Sequence, residues 1–219
     1  MSIKYGTSED PYIDPDTSVL KNLRGIKDQA TLDSAEAGAV ALRTYELREN
    51  PLKGNFDLDH LSAIHKYLFQ DIYPWAGETR SLDITKGTSR FANHLYIRSS
   101  GEKVFKSLAE EGHLLGLEIA DFSARASHYL AEINAIHPFR EGNGRAQREF
   151  INHLAAESGY VIAWENAPVD VVLSSTIASF HGELEPLTNL ISDHIKRITS
   201  TPPKRLESAS RPVHPLPDA

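Results

Sequence analysis

The sequence predicts a mainly α-helical, single-domain protein with one short β-hairpin. Helical spacing dominates: apolar residues recur at three- and four-residue intervals, the period of helices that bury one stripe. One region departs from that period. Ser81-Leu82-Asp83-Ile84 and Phe91-Ala92-Asn93-His94-Leu95-Tyr96-Ile97 alternate weakly around Thr85-Lys86-Gly87-Thr88-Ser89, which reads as a hairpin. At 219 residues, 40% of them hydrophobic, the chain is long enough for one sizeable core.

Ala35, Ala39, Leu42 and Leu47 predict a first helix over about 28–49, and Leu58, Leu61, Ile64, His65 and Leu68 a second. Phe105, Leu108, Leu115 and Leu117 predict a third. Phe122, Ala126, Tyr129, Leu130, Ile133 and Ile136 form the stripe of a fourth, which delivers His137. After Arg145, Ala146, Phe150, Leu154 and Ala155 keep helical spacing, so a fifth begins near Asn143 or Gly144. Two more run from Val169 to about Phe180 and from Leu187 to Ile198, with Pro168 and Pro186 near their starts, where a missing N–H breaks no helical bond. Residues 1–198 are expected to form the domain. The Pro-rich, apolar-poor stretch 199–219 is expected to be a disordered tail, either a linker stub or a docking segment.

Composition narrows the function classes. A net charge of −7 with no Lys/Arg block argues against direct nucleic-acid binding. No stretch approaches membrane-spanning length and MSIKYGTSEDPY lacks a leader's apolar segment, so a soluble protein with no membrane partner is expected. Zero cysteines exclude disulfides and thiolate metal sites, in keeping with a reducing compartment. His60 with His65, and His128 with His137, lack the spacing and supporting carboxylate of a zinc helix. Trp75 and Trp164 read as core or rim aromatics.

The chemistry is concentrated in residues 137–145, His-Pro-Phe-Arg-Glu-Gly-Asn-Gly-Arg, with Arg148 three places on. The first N–H groups of a helix lack internal acceptors and carry the positive end of its dipole, and glycines let a phosphate approach them. Gly142-Asn143-Gly144 therefore makes an anion cradle. Arg145 and Arg148, three apart, point to one side of that helix and hold further phosphate oxygens. Glu141 would be repelled by phosphates unless a divalent cation lay between, which implies Mg²⁺ held by one carboxylate, phosphate oxygens and water. His137, with an ordinary pKa of roughly 6.5, suits proton removal from an attacking hydroxyl. Pro138 and Phe139 anchor the loop in the core. Each residue type here has a bland structural explanation taken singly. None of those explanations accounts for the whole set at this spacing.

The stretch 137–148 resembles the Fic-family motif, His-x-Phe-x-(Asp/Glu)-Gly-Asn-Gly-Arg-x-x-Arg, with every defining position filled. Residues 60–80, HLSAIHKYLFQDIYPWAGETR, resemble the family's upstream helix and Trp-Ala-Gly segment, and 181–191, HGELEPLTNLI, its closing helical part. Asp10-Pro11-Tyr12 and Leu23-Arg24-Gly25-Ile26 are similar to bacterial Fic toxins and to the Fic domains of translocated Bartonella-type effectors. The resemblance implies a compact Fic helical bundle with a flap, about 79–97, beside the active-site loop. It implies transfer of AMP from ATP to a Tyr, Thr or Ser hydroxyl of a target protein, with release of pyrophosphate. In that scheme His137 is the general base and Glu141 holds Mg²⁺. Asn143 and the amides around it steady the α-phosphate, and Arg145 with Arg148 secures the β- and γ-phosphates. Gly144 stands where Doc-type phosphorylating relatives carry lysine, which favours nucleotidyl over phosphoryl transfer. The flap turn, Thr85, Lys86 and Gly87, would dock an extended target segment by its edge; the pattern alone fits an ordinary surface hairpin equally well.

Many Fic proteins are restrained by a glutamate in a (Ser/Thr)-x-x-x-Glu-(Gly/Asn) helix that pairs with the second motif arginine, here Arg148. Ser107-x-x-x-Glu111-Gly112 fits the pattern but lies between flap and motif, away from either end, and reads as coincidence. The expectation is a toxin inhibited in trans by a small antitoxin that supplies the glutamate. By analogy the target is a type II topoisomerase subunit in the bacterial cytoplasm, or a host GTPase if the chain is translocated into a host or recipient cell. Two alternatives stay open: a catalytically idle nucleotide-binding interaction module, and a Fic enzyme transferring UMP or phosphocholine.

Overall fold

The computed structural model describes residues 10–86 and 89–198. Two aspartates begin its first helices. Asp28 accepts the Thr31 N–H at 2.8 Å ahead of α1 (Gln29–Glu49), and Asp57 that of His60 at 2.7 Å ahead of α2 (Leu58–Phe69); each satisfies an amide the helix leaves without an acceptor. Next come the antiparallel pair β1 (Thr85–Lys86) and β2 (Ser89–Arg90), then α3 (Ile97–Glu110), α4 (Ile119–Ile136) and α5 (Asn143–Glu157). β3 (Tyr160–Ile162), α6 (Val169–Phe180), α7 (Glu185–His194) and β4 (Ile195–Arg197) complete the chain.

α4 is the centre of the bundle, packed against α3, α5, α6 and α7, while α2 lies between α1 and α5. Its stripe of Phe122, Ala126, Tyr129, Leu130, Ile133 and Ile136 is buried as the spacing predicts. α5 buries Ala146, Phe150, Leu154 and Ala155 and starts at Asn143, one of the two starts expected. Among the described residues no helix is long and apolar enough to cross a membrane. The expected tail, 199–219, lies outside the described residues.

Four expectations need correction. α1 turns Leu32, Glu36, Val40 and Leu47 inward and leaves Leu42 exposed, so its true stripe contains a carboxylate that the apolar count passed over. α3 ends at Glu110; Leu115 and Leu117 fall beyond it, after positive-φ backbone at Gly112, His113 and Leu114. The last helix stops at His194, because Ile195–Arg197 pair antiparallel with Tyr160–Ile162, a strand the sequence reading did not anticipate. The hairpin is real but tighter than expected. Its pairing lies at Thr85↔Arg90 and Lys86↔Ser89, and of the residues expected as strand, His94–Tyr96 coil into a 3-10 turn and Ile97 opens α3.

Candidate active site

The loop between α4 and α5 is fixed before any ligand arrives. Phe139 is fully buried and stacks on His65 with ring centroids 3.9 Å apart. The His65 Nδ1 accepts the Gly77 N–H at 2.8 Å, so Nε2 carries the proton and donates to the Glu141 carbonyl at 2.9 Å. Burial pushes this imidazole down to about 3, and a neutral ring is what both bonds require. Asn143 closes the loop on itself: its Oδ1 accepts the Phe139 N–H at 2.9 Å and its Nδ2 donates to the Phe139 carbonyl at 2.7 Å. The Asn143 side chain therefore shapes the turn, and the backbone amides of Asn143 and Gly144, at the first positions of α5, face the role of anion donors.

Gly142 is the residue on which this geometry turns. It caps α5 at φ +80°, and a Cβ there would lie 2.3 Å from the Phe69 ring. Gly144 leaves room for the Arg148 guanidinium, whose Nη1 would sit 3.2 Å from a Cβ. The two cations stand together. Arg148 is half-buried, and desolvation followed by the neighbouring Arg145 lowers its pKa. Among the described residues Arg148 forms no ion pair. Arg145 pairs with Glu36 at 2.6 Å, lies 3.8 Å from Glu141, and covers the Phe69 face at 4.8 Å. Such a concentration of positive charge at a helix N-terminus calls for a polyanion.

His137 ends α4 in the left-handed region, φ 48° and ψ 64°, which turns its side chain out of the helix. Its Nδ1 lies 3.3 Å from the Asn134 carbonyl, an acceptor only, so the proton sits on Nδ1 and Nε2 bears the lone pair. Burial first, then the charges of Arg80 and Lys86, holds the ring down at about 3, so it is neutral near pH 7. Phe91 stacks on it at 3.7 Å, joining the flap to the base.

Arg80 welds these parts together. It is buried and donates to the carbonyls of His137 at 2.8 Å, Leu82 at 2.6 Å, Ile136 at 3.2 Å and also Ala92. One guanidinium thus spans the α4 C-terminus and both legs of the flap. Asp83 ties the flap's base to the chain leading into α3, accepting from Asn93 Nδ2 and the His94 N–H, each at 2.8 Å. Thr85 and Lys86 are exposed at the flap edge, whereas Gly87 lies outside the described residues. At the far side of the loop Asp10 pairs with buried Arg140 at 2.7 Å.

The structure places His137 at the C-terminus of α4, Glu141 in the loop that follows, Gly142 at the cap of α5, and Asn143, Gly144, Arg145 and Arg148 in its first two turns. Sequence reasoning missed Glu36, His65, Arg80 and Asp10 as parts of the site. His65 and Arg80 lie inside the 60–80 resemblance, which could have flagged them; Glu36 carried only one weak signal, a charge on a buried helix stripe. Glu111, the pattern match, holds Arg125 at 2.8 Å and accepts from the Tyr129 hydroxyl at 2.8 Å, so its oxygens are engaged away from Arg148.

A single carboxylate at Glu141 beside a phosphate cradle is a donor set that fits Mg²⁺ shared with phosphate and water. Among the described residues no group of three or more His, Cys, Asp or Glu could hold a metal by itself.

Residues 55–155 match the model of the Fic/DOC family. The chain is 46% identical over 196 residues to the protein adenylyltransferase VbhT of Bartonella schoenbuchensis, covering 90% of this chain and 41% of that relative. It is 38% identical over 201 residues to the probable protein adenylyltransferase Fic of Salmonella typhimurium, covering 92% of this chain and 100% of that relative. Among solved structures, the BepC effector of Bartonella tribocorum with bound AMPPNP superposes with a TM-score of 0.79 at 28% identity, over 85% of this chain and 96% of that one. Identity at this level over the full length of a relative makes the chain a member of the Fic/DOC family.

Proposed function

We propose that the chain transfers AMP from ATP to a Tyr, Thr or Ser hydroxyl of a target protein, as a toxin restrained by a separate small antitoxin. The observation that carries the first part is the Arg145–Arg148 pair at the α5 N-terminus, with His137 at the other end of the same loop presenting an imidazole whose lone pair is on Nε2. The amides of Asn143 and Gly144 and the two guanidinium groups bind and orient the triphosphate. The acceptor oxygen attacks the α-phosphorus, the bond to the bridging oxygen breaks, pyrophosphate leaves, and the hydroxyl proton passes to His137 Nε2. The polyanion's charge raises the basicity of that imidazole at the moment it is needed. Bound at Glu141, Mg²⁺ would offset phosphate charge. The exposed edge of β1, Thr85 and Lys86, would pair with an extended target segment.

The in-trans restraint is supported by Arg148 forming no ion pair among the described residues, where Glu149, bound to Arg48, acts on it only through its charge, and by Glu111 being held elsewhere. A type II topoisomerase subunit, or a host GTPase after translocation, remains the target expected by analogy. To test the reading, the chain is incubated with Mg²⁺, bacterial lysate and ATP labelled at the α-phosphate, beside a His137→Ala control. A labelled protein band absent from the control is expected. Label entering only from the γ-phosphate would replace adenylyl transfer with phosphorylation, and an inert chain awakened by Glu111→Gly would overturn the in-trans arrangement.

A further inference from the structure

We infer that Glu36 and Tyr73 are positioning residues for nucleotide binding, acting through Arg145; the inference rests on the reading of the α5 N-terminus as the triphosphate cradle. Glu36 lies on the buried stripe of α1, one turn from Leu32 and one from Val40, with its side chain only 11% exposed. A carboxylate there is costly unless paired and hydrogen-bonded. Both oxygens are engaged: Oε1 holds Arg145 Nη2 at 2.6 Å and Oε2 accepts the Tyr73 hydroxyl. Tyr73 is itself fixed, buried and stacked on Trp75 at 4.4 Å. Burial and the adjacent Glu36 raise its phenol well above the usual range, so it remains a donor.

The contact anchors Arg145 without consuming it. Glu36 and Glu141, the carboxylates near Arg145 among the described residues, both meet Nη2, and the guanidinium lies over the Phe69 ring. The donors on Nε and Nη1 remain for an anion, and the side chain is 31% exposed. A long arginine loses rotamer freedom when it grips phosphate; Glu36, Tyr73 and Phe69 remove that freedom in advance. Glu36 sits before residue 55, outside the stretch matched by the family model.

The test titrates Mg-ATP calorimetrically into the His137→Ala chain, which keeps the cradle and lacks the base. The same background then carries Glu36→Gln, Tyr73→Phe, Arg145→Ala, or Glu36→Gln with Arg145→Ala, each checked by its melting curve. Glu36→Gln is expected to weaken Mg-ATP about ten-fold, as loss of a partly buried ion pair that anchors a binding arginine does. Tyr73→Phe, which keeps the ring and its packing, is expected to weaken it roughly three-fold. In the Arg145→Ala background Glu36→Gln should have no further effect. Unchanged affinity in both Glu36→Gln and Tyr73→Phe overturns the inference. So does an equal loss with and without Arg145, which would make the effect one of general packing. Tighter binding in Glu36→Gln also overturns it, since Glu36 would then be withdrawing Arg145 from the nucleotide. Failure of the His137→Ala parent to bind Mg-ATP would instead remove the cradle reading beneath it.

Discussion

Replacing Gly142 with alanine tests the loop at its tightest point. The residue sits at φ +80°, where an L side chain costs about 1–2 kcal/mol. The new methyl would start 2.3 Å from the Phe69 ring, which is itself wedged under the Arg145 guanidinium at 4.8 Å and cannot retreat without moving it. Overpacking of this kind costs about 1–3 kcal/mol. Together the two effects predict a loss of about 2–5 kcal/mol, or a melting temperature lower by roughly 5–15 °C for a domain of this size. Mg-ATP affinity should fall as well, because the ring that must move supports Arg145. Differential scanning calorimetry of Gly142→Ala, Phe69→Leu and the double variant separates the two terms. Shrinking the ring relieves the clash but leaves the backbone strain, so the double variant should melt higher than the sum of the single losses predicts. If Gly142→Ala melts within a degree of the parent, the ring does not press on the loop and the reasoning fails.

Arg148→Met should raise the melting temperature of the nucleotide-free chain by about 2–4 °C, since a desolvated cation beside Arg145 gives way to a packed hydrophobe. The same variant should lose the thermal stabilisation that Mg-ATP gives the parent; a nucleotide-free protein that melts lower would contradict the unpaired-cation account. Stability should also fall with acid. His65 and His137 are held down at about 3 and His153 at about 4, all chiefly by burial, so between those values and about 6.5 the unfolded chain binds more protons than the folded one. The contribution is complete above the unfolded value and shrinks as pH drops through this window, with a slope approaching about 4 kcal/mol per pH unit for three protons. Urea midpoints measured from pH 7.5 to 5 check it, and a flat profile would show that these rings protonate in the native state. Arg80→Met strips four carbonyls of their donor and should cost at least about 3 kcal/mol. Hydrogen exchange should accelerate at the flap and at 136–140; unchanged protection would mean that Arg80 does not join them.

The legible part of the molecule was local. Glycine and polar residues interrupt an otherwise helical period at 142–144, so the start of α5 and the cradle could be placed from the sequence, and the Phe122–Ile136 stripe delivered His137 where expected. What escaped depends on partners far along the chain. Ile195–Arg197 keep helical spacing yet form strand because Tyr160–Ile162 offer them a ladder. Leu115 and Leu117 match a helix period that positive-φ backbone at 112–114 has already broken. Arg80 and His65 make their contacts 57 and 76 positions away, and a composition of ordinary core residues announces neither. Glu36 was hidden because the apolar pattern on α1 was read from alanines on an adjoining, partly exposed face.

The pairing of Asp10 with Arg140 bridges 130 positions of chain. A designer who trimmed the protein to residues 55–155, the span by which its relatives are recognised, would keep every letter of the signature and discard both Asp10 and Glu36. The twelve-residue stretch is therefore not a portable cassette: transplanted into another scaffold, Arg140 and Arg145 would arrive without the acidic counterweights that Asp10 and the first helix supply here.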